Sequence, residues 1–201
     1  YSGGTATRLG TSTATNGSGA LGWISSTSVG SNPQNIAAGR FNSDTNLDVV
    51  VANWSGDTIS ISINNGLGQF AILTNIATGD APSGLGVRDF NGDGLDDIAA
   101  ANYYSGTVGI YLRSGSGFVL QTNMTGFSNP YYLRVADLNG DGKADLAVPN
   151  YGSGTMSVLL GNGDGTFQTR SNYTAGSNPH CVAAGDFNGD SKIDLAVANY
   201  G

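Results

Sequence analysis

The chain of 201 residues holds a single cysteine, Cys181, so no intrachain disulfide can form and the redox compartment stays open. It holds a single histidine, His180, which with one thiol leaves too few ligands for a structural zinc site. Glutamate is absent, and all 15 acidic residues are aspartate. Lysine and arginine together number 8 and stand singly, so no basic patch is offered to nucleic acid. No apolar run approaches the ~18 residues that a membrane-spanning helix needs. No useful stretch has apolar residues at a period of 3.6, and 32 glycines argue further against helix. The chain starts at Tyr1 rather than Met and shows no signal peptide, as a mature or trimmed product would.

What is present is a repeat. Asp89-Phe-Asn-Gly-Asp-Gly-Leu-Asp-Asp97 returns as Asp137-Leu-Asn-Gly-Asp-Gly-Lys-Ala-Asp145 and as Asp186-Phe-Asn-Gly-Asp-Ser-Lys-Ile-Asp194. A weaker copy stands earlier as Arg40-Phe-Asn-Ser-Asp-Thr-Asn-Leu-Asp48. The copies at 40–48, 89–97, 137–145 and 186–194 are spaced by 49, 48 and 49 residues. Twelve of the 15 aspartates lie in these four loops, so the net charge of −7 is mostly loop carboxylate rather than a diffuse acidic surface.

The flanks of each loop read as strands. A proline stands seven residues before each copy, at Pro33, Pro82, Pro130 and Pro179, where it separates strands because it cannot continue a central one. After each loop comes a small apolar run, Asp48-Val-Val-Val-Ala-Asn53 and its equivalents ending at Asn102, Asn150 and Asn199, read as a strand buried on both faces. An alternating strand follows, as in Thr58-Ile-Ser-Ile-Ser-Ile63, then a glycine-rich turn and a more polar strand opening on Trp23, Phe70, Phe118 or Phe167. Each unit of about 48 residues therefore contains four strands, here A to D, joined by hairpins. Repetition of such a unit predicts an all-β fold, a β-propeller of four-stranded antiparallel blades, with a solenoid of stacked hairpins as the alternative. On this reading residues 1–201 form one propeller domain of about four repeats. The order along the chain is C-D, three times A-B-C-D, then A-B, which predicts a seam between N-terminal C-D strands and C-terminal A-B strands. Tyr1-Ser-Gly-Gly-Thr5 matches Tyr151-Gly-Ser-Gly-Thr155, and the threonine-rich residues 1–15 read as a strand or arm that closes this ring or pairs with another molecule.

The loops carry the chemistry. Relative positions 1, 3, 5 and 9 are Asp, Asn, Asp and Asp, the glycines at positions 4 and 6 let the backbone bend, and position 7 offers a carbonyl. Such an oxygen-rich loop suits Ca²⁺, which takes six to eight oxygens at flexible geometry, better than Mg²⁺. It is not an EF-hand loop, because the twelfth position is Ala100, Val148 or Val197 instead of a bidentate Glu. An Asx-rich turn that needs no metal is the alternative. The first copy departs from the pattern: Arg40 leads it, Ser43 and Thr45 replace the glycines, and the Arg40 charge is expected to stand in for the ion.

These loops, together with the following Asp-Leu-Ala-Val-Ala-Asn and Ser-Gly-Thr-Met-Ser-Val-Leu-Leu-Gly-Asn-Gly-Asp-Gly-Thr-Phe stretches, resemble FG-GAP/VCBS-type repeats, the calcium-binding blades of integrin α-like propellers. The resemblance runs from Trp23 almost to the last residue. It implies Ca²⁺ in the loops joining strands A and B, held by Asp89, Asn91, Asp93, the Leu95 carbonyl and Asp97. The equivalents are Asp137, Asn139, Asp141, Lys143 and Asp145, then Asp186, Asn188, Asp190, Lys192 and Asp194, with a weaker set at Asn42, Asp44, Asn46 and Asp48. Three ions, with a fourth at the weaker loop, are expected as structural cofactors with Kd on the order of 10⁻⁴–10⁻³ M, a range suited to an extracellular medium. The family's usual blade number is seven, so four repeats leave open a small propeller, a part of a larger one, or assembly of several chains.

Other features are weaker. Alternation along strand A sends His180 and Cys181 to opposite sides, so no nucleophile–base pair is expected there and no catalytic residue is assigned. Asn16, Asn53, Asn123 and Asn172 are glycosylation sequons, the last two at equivalent positions on the polar outer strand. Trp54, Tyr103, Tyr104, Tyr151 and Tyr200 follow the strand-B asparagines and read either as an exposed ring that binds sugar or protein, or as packing between blades. The expectation is a secreted or cell-surface, non-enzymatic module that acts in adhesion or assembly, with a protein or copies of itself as partner and no membrane span. A carbohydrate-binding propeller and an accessory propeller of a larger receptor or enzyme are the alternatives.

Overall fold

A computed structural model describes the backbone of residues 5–11 and 21–201 and the side chains of residues 27–201. Asn16 and most of the threonine-rich arm lie outside the described residues. The chain forms β1 (Thr5–Thr11) and β2 (Leu21–Ser28), a two-stranded antiparallel sheet. Three four-stranded antiparallel sheets follow. The first is β3 (Pro33–Gly39), β4 (Asp48–Asn53), β5 (Thr58–Asn64) and β6 (Phe70–Ala77). The second is β7 (Pro82–Arg88), β8 (Asp97–Asn102), β9 (Thr107–Ser114) and β10 (Gly117–Met124). The third is β11 (Arg134–Ala136), β12 (Asp145–Asn150), β13 (Thr155–Leu159) and β14 (Ser171–Thr174). Last comes a two-stranded sheet of β15 (Pro179–Gly185) and β16 (Asp194–Asn199). Each sheet is a simple meander, so strands A to D pair in sequence order, as blades do.

The proline turns have a common geometry. Asn32, Ala81, Asn129 and Asn178, each just before its proline, sit at φ between 51° and 57°. The left-handed residue reverses the chain, and the proline then enters the next strand at a φ it already holds. The proline is thus the first residue of strand A in three copies rather than a break ahead of it.

The third copy is shorter for a local reason. Pro149 stands inside the central strand β12, where the other copies have Ala52, Ala101 and Ala198 paired with strand A. Its carbonyl accepts from Tyr131 N, so its nitrogen, which has no hydrogen, faces the same strand. The ladder therefore runs only from Arg134 to Ala136. Phe167 lies before β14, in an isolated bridge to Gly161, rather than opening that strand.

The apolar runs after the loops are buried on both faces, as their composition requires. Between the first two sheets, Phe41, Val50, Ala52, Ile59 and Ile61 meet Leu85, Ile98, Ala100 and Tyr111. Between the second and third, Ala99, Ala101, Val108 and Ile110 meet Leu133, Leu146, Val148 and Leu159. Alternate residues of β8 thus serve two different interfaces. Fully burying Ile59, Ile61, Ile98 and Ile110 stabilises the fold by roughly 1.5–3 kcal/mol for each side chain. Aromatic pairs repeat the logic: Phe118 meets Phe41 at 5.5 Å and Phe167 meets Phe90 at 5.9 Å, each joining a strand-D region to the loop of the preceding sheet.

The terminal sheets break the pattern. Strands β8 and β12 are buried at every residue, whereas β16 has no fully buried residue and three exposed ones. Strand β16 pairs with β15 alone, and β1 pairs with β2 alone, so the two half-blades are not joined in one sheet and no closed ring is formed among the described residues.

Candidate functional site

The four repeat loops lie between strands A and B of their sheets. In the second, Asp89 Oδ1 accepts from Gly92 N at 2.7 Å and Oδ2 from Gly94 N at 2.8 Å. Asn91 Oδ1 accepts from Asp93 N at 3.0 Å, and Asp93 Oδ1 from Leu95 N at 2.8 Å. The third loop repeats this: Asp137 accepts from Gly140 N and Gly142 N, and Asp141 from Lys143 N. In the fourth, Asp186 accepts from Gly189 N and Ser191 N, and Asp190 from Lys192 N. The curl depends on left-handed residues at positions 4 and 6, which are Gly92 and Gly94, Gly140 and Gly142, then Gly189 and Ser191. Ser43 and Thr45 do not adopt that conformation, so the first loop takes another path.

Position 9 has a different environment from positions 1, 3 and 5. Asp48, Asp97 and Asp145 are fully buried. Asp97 Oδ2 accepts from Phe90 N at 2.9 Å and Oδ1 from Arg113 N at 2.7 Å. Asp145 accepts from Leu138 N and Gly161 N, and Asp48 from Phe41 N and Asn64 N. The carboxylate ties the start of its loop to the far end of strand C. Asp194 keeps only the first bond, from Phe187 N at 3.0 Å, because β16 has no strand C beside it.

Hard oxygen donors alone line the loops, which suits Ca²⁺ chemically. Burial pushes the Asp97 carboxyl up to about 6, against the pull of the Arg113 and Phe90 N–H groups, and the Asp93 and Asp89 carboxylates push it further the same way. That repulsion is what a divalent cation relieves. Backbone N–H bonds hold the exposed Asp141 and Asp186 carboxyls below the usual range, first from Lys143 and Ser191 respectively. Among the described residues no three acidic, His or Cys side chains converge closely enough to hold an ion, so the loops offer the donors without a preassembled shell. Positions 1 and 9 both already accept backbone N–H groups; what separates them is burial, which is complete at Asp48, Asp97 and Asp145 and partial or absent at positions 3 and 5. Arg40 forms no ion pair among the described residues. Its backbone N–H donates to Asp96 Oδ2 of the next loop, and the one ion pair among the described residues is Lys143 with Asp141 at 4.0 Å.

At the strand B–C turns the aromatic residues form an open basin of about 430 Å³. Trp54 and Tyr104 come from the first two sheets with Tyr103, Tyr151 from the third, and Tyr200 from the last, as the sequence spacing implied. Spacing did not reveal Tyr131 and His180, which join them from strand-A positions. The rings neither stack as a core nor stand free. Trp54 and Tyr103 are 5.2 Å apart, Tyr103 and Tyr131 5.6 Å, and Tyr131 and His180 4.1 Å.

His180 and Cys181 are not on opposite sides. Their Nδ1 and Sγ lie 3.2 Å apart, because a register shift between Pro179 and Cys181 breaks the alternation. Burial raises the Cys181 thiol, which leaves it a thiol rather than an activated thiolate. Of the described sequons, Asn123 and Asn172 are exposed on the outer strands β10 and β14. Asn53 is fully buried, with Nδ2 donating to Thr58 and Ser60, so folding withdraws it from any glycosylating enzyme.

The model of FG-GAP-like repeats matches residues 40–100, 89–148 and 147–197. The chain belongs to the FG-GAP-like repeat family. No curated protein matches it. Among solved structures it is similar to a protein of unknown function from Desulfotomaculum acetoxidans, with TM-score 0.63, 16% identity, and coverage of 78% of this chain and 46% of that one. It is similar to the N-terminal part of BBS1, solved in complex with ARL6, with TM-score 0.61, 17% identity, and coverage of 82% and 50%. It is also similar to an Agrocybe aegerita lectin that recognises non-reducing terminal N-acetylglucosamine, with TM-score 0.51, 24% identity, and coverage of 79% and 44%. At these identities the likeness establishes a propeller-like fold and nothing about ligands. This FG-GAP repeat chain spans about half the length of the structures it matches.

Proposed function

We propose that this chain is an extracellular, calcium-stabilised β-propeller-like module with a structural or adhesive role, which assembles head to tail when β1–β2 of one copy completes the β15–β16 sheet of the next. The open edge of β16 carries this reading. A groove of about 430 Å³ runs along it, lined by Leu138, Met156 and Val158 of the third sheet and by Ile193, Leu195 and Val197 of the last. Leu146 and Val148, the equivalents of Leu195 and Val197, are fully buried because a strand C stands beside them.

Part of β1 matches strand C of the third copy in sequence. Thr155, Leu159 and Gly161 in the third copy correspond to Thr5, Leu9 and Thr11, at the same offsets of four and six residues. Leu159 fills the interface core, and Leu9 is its counterpart in the completed sheet, whereas a side chain at the Gly161 position meets the Ala144 carbonyl, so Thr11 enters there only with a local shift of the backbone. A heterologous contact of this kind propagates into a fibre unless its rotation closes a ring.

Deleting residues 1–15 tests the reading by light scattering and circular dichroism. Assembly lost with the blades still folded is the expected result. Unchanged assembly size, or a monomer whose β16 pairs with its own β1, overturns it.

A further inference from the structure

We infer that the aromatic basin at the strand B–C turns is a binding site for a neutral saccharide of one or two rings. The basin is independent of the edge of β16 and of the calcium loops. Its volume of about 430 Å³ falls within the ~300–1,000 Å³ typical of small-molecule sites. No Asp, Lys or Arg side chain lines it, so neither a phosphate nor a carboxylate finds a guanidinium or ammonium partner there.

What lines it is a set of ring faces with hydroxyl, indole and imidazole groups at their edges. A sugar ring has the matching character: an apolar C–H face that lies on an aromatic face, and hydroxyls around its edge that exchange hydrogen bonds with Tyr and Trp. The rings are tilted against one another, by 39° for Trp54 with Tyr103 and 84° for Tyr103 with Tyr131, so faces and edges alternate around the wall. Tyr and Trp also lose little conformational freedom when they bind, having only two side-chain torsions.

A quaternary ammonium ion is the competing occupant of an aromatic site. It needs rings closed around one point within about 6 Å and favours desolvation. This basin is wide and open, and Tyr104 and Tyr200 at its rim are 67% and 80% exposed. Burial, followed by neighbouring tyrosines, raises the Tyr103 hydroxyl, and burial likewise raises that of Tyr131. Both therefore remain neutral donors at ordinary pH.

Trp54 supplies the readout. The full chain is titrated with neutral disaccharides of glucose, galactose, mannose and N-acetylglucosamine, and separately with tetramethylammonium, while indole emission is followed. A saturable change for at least one saccharide is expected, absent in Trp54→Phe. The exposed rim variants Tyr104→Ala and Tyr200→Ala are each expected to weaken binding roughly tenfold, about 1.4 kcal/mol, with the melting temperature unchanged. Silence towards every saccharide, affinity unaltered in both rim variants, or tighter binding of tetramethylammonium than of any sugar overturns the assignment.

Discussion

Single aspartates in one motif do two kinds of work. Asp145 is fully buried and accepts two backbone N–H groups, whereas Asp141 sits at the exposed turn of the same loop. Asp145→Asn presents one amide oxygen and turns NH₂ towards a donor. It should cost about 1–3 kcal/mol by urea unfolding, with or without calcium. Asp141→Asn should leave the stability in chelator within about 0.5 kcal/mol and shrink only the increment that calcium adds. Equal losses in both variants would sink the division of roles.

Tyr111 gives the pH dependence. Burial pushes its phenol from 10.0 up to about 12, so the folded state holds the proton more tightly than the unfolded chain. Below pH 10 both states are protonated and the group contributes nothing. Between 10 and about 12 the unfolded chain ionises first, and stability falls as pH rises. One tyrosine should titrate late in the ultraviolet spectrum, and Tyr111→Phe should remove that phase. A spectrum without it would overturn the prediction.

At the scale of strands, position in the sheet overrides composition. Asp145-Leu-Ala-Val-Pro-Asn150 and Asp194-Leu-Ala-Val-Ala-Asn199 differ at one residue, yet the first is buried throughout and the second is not. Burial of such a run comes from the strand C beside it and from the neighbouring sheet. Val197→Lys places a charge in the groove on the open edge, where edge strands commonly carry lysine to prevent pairing. It should abolish head-to-tail assembly in sedimentation and leave the monomer's melt within a few degrees of the parent. Fibres of undiminished length from this variant would exclude β16 as the acceptor.

At the scale of the whole molecule, the loops concentrate negative charge that the fold must tolerate. With three sites of Kd on the order of 10⁻⁴–10⁻³ M, about 1 mM calcium should add roughly 0.4–1.4 kcal/mol per site. Excess EGTA should then lower the melting temperature by roughly 5–15 °C. An unchanged melt would mean that the backbone N–H groups around Asp89, Asp137 and Asp186 suffice to hold the loops.

The spacing of Asp, Asn and Gly, with apolar runs at a constant offset, determined the repeat and its four antiparallel strands, because these depend on contacts within one unit. Local chemistry likewise made Arg40, Ser43 and Thr45 legible as marks of a loop unlike the others. What the tertiary structure decided involves partners on other strands. The bulge that brings His180 to Cys181 and the shortened ladder beside Pro149 follow from pairing across strands. The commitment of Asp97 to Arg113 N depends on a strand 16 residues further along, which no loop motif records. Whether Leu195 and Val197 are core or edge depends on which strand lies beside them, and that is settled by assembly in space rather than by the residues themselves.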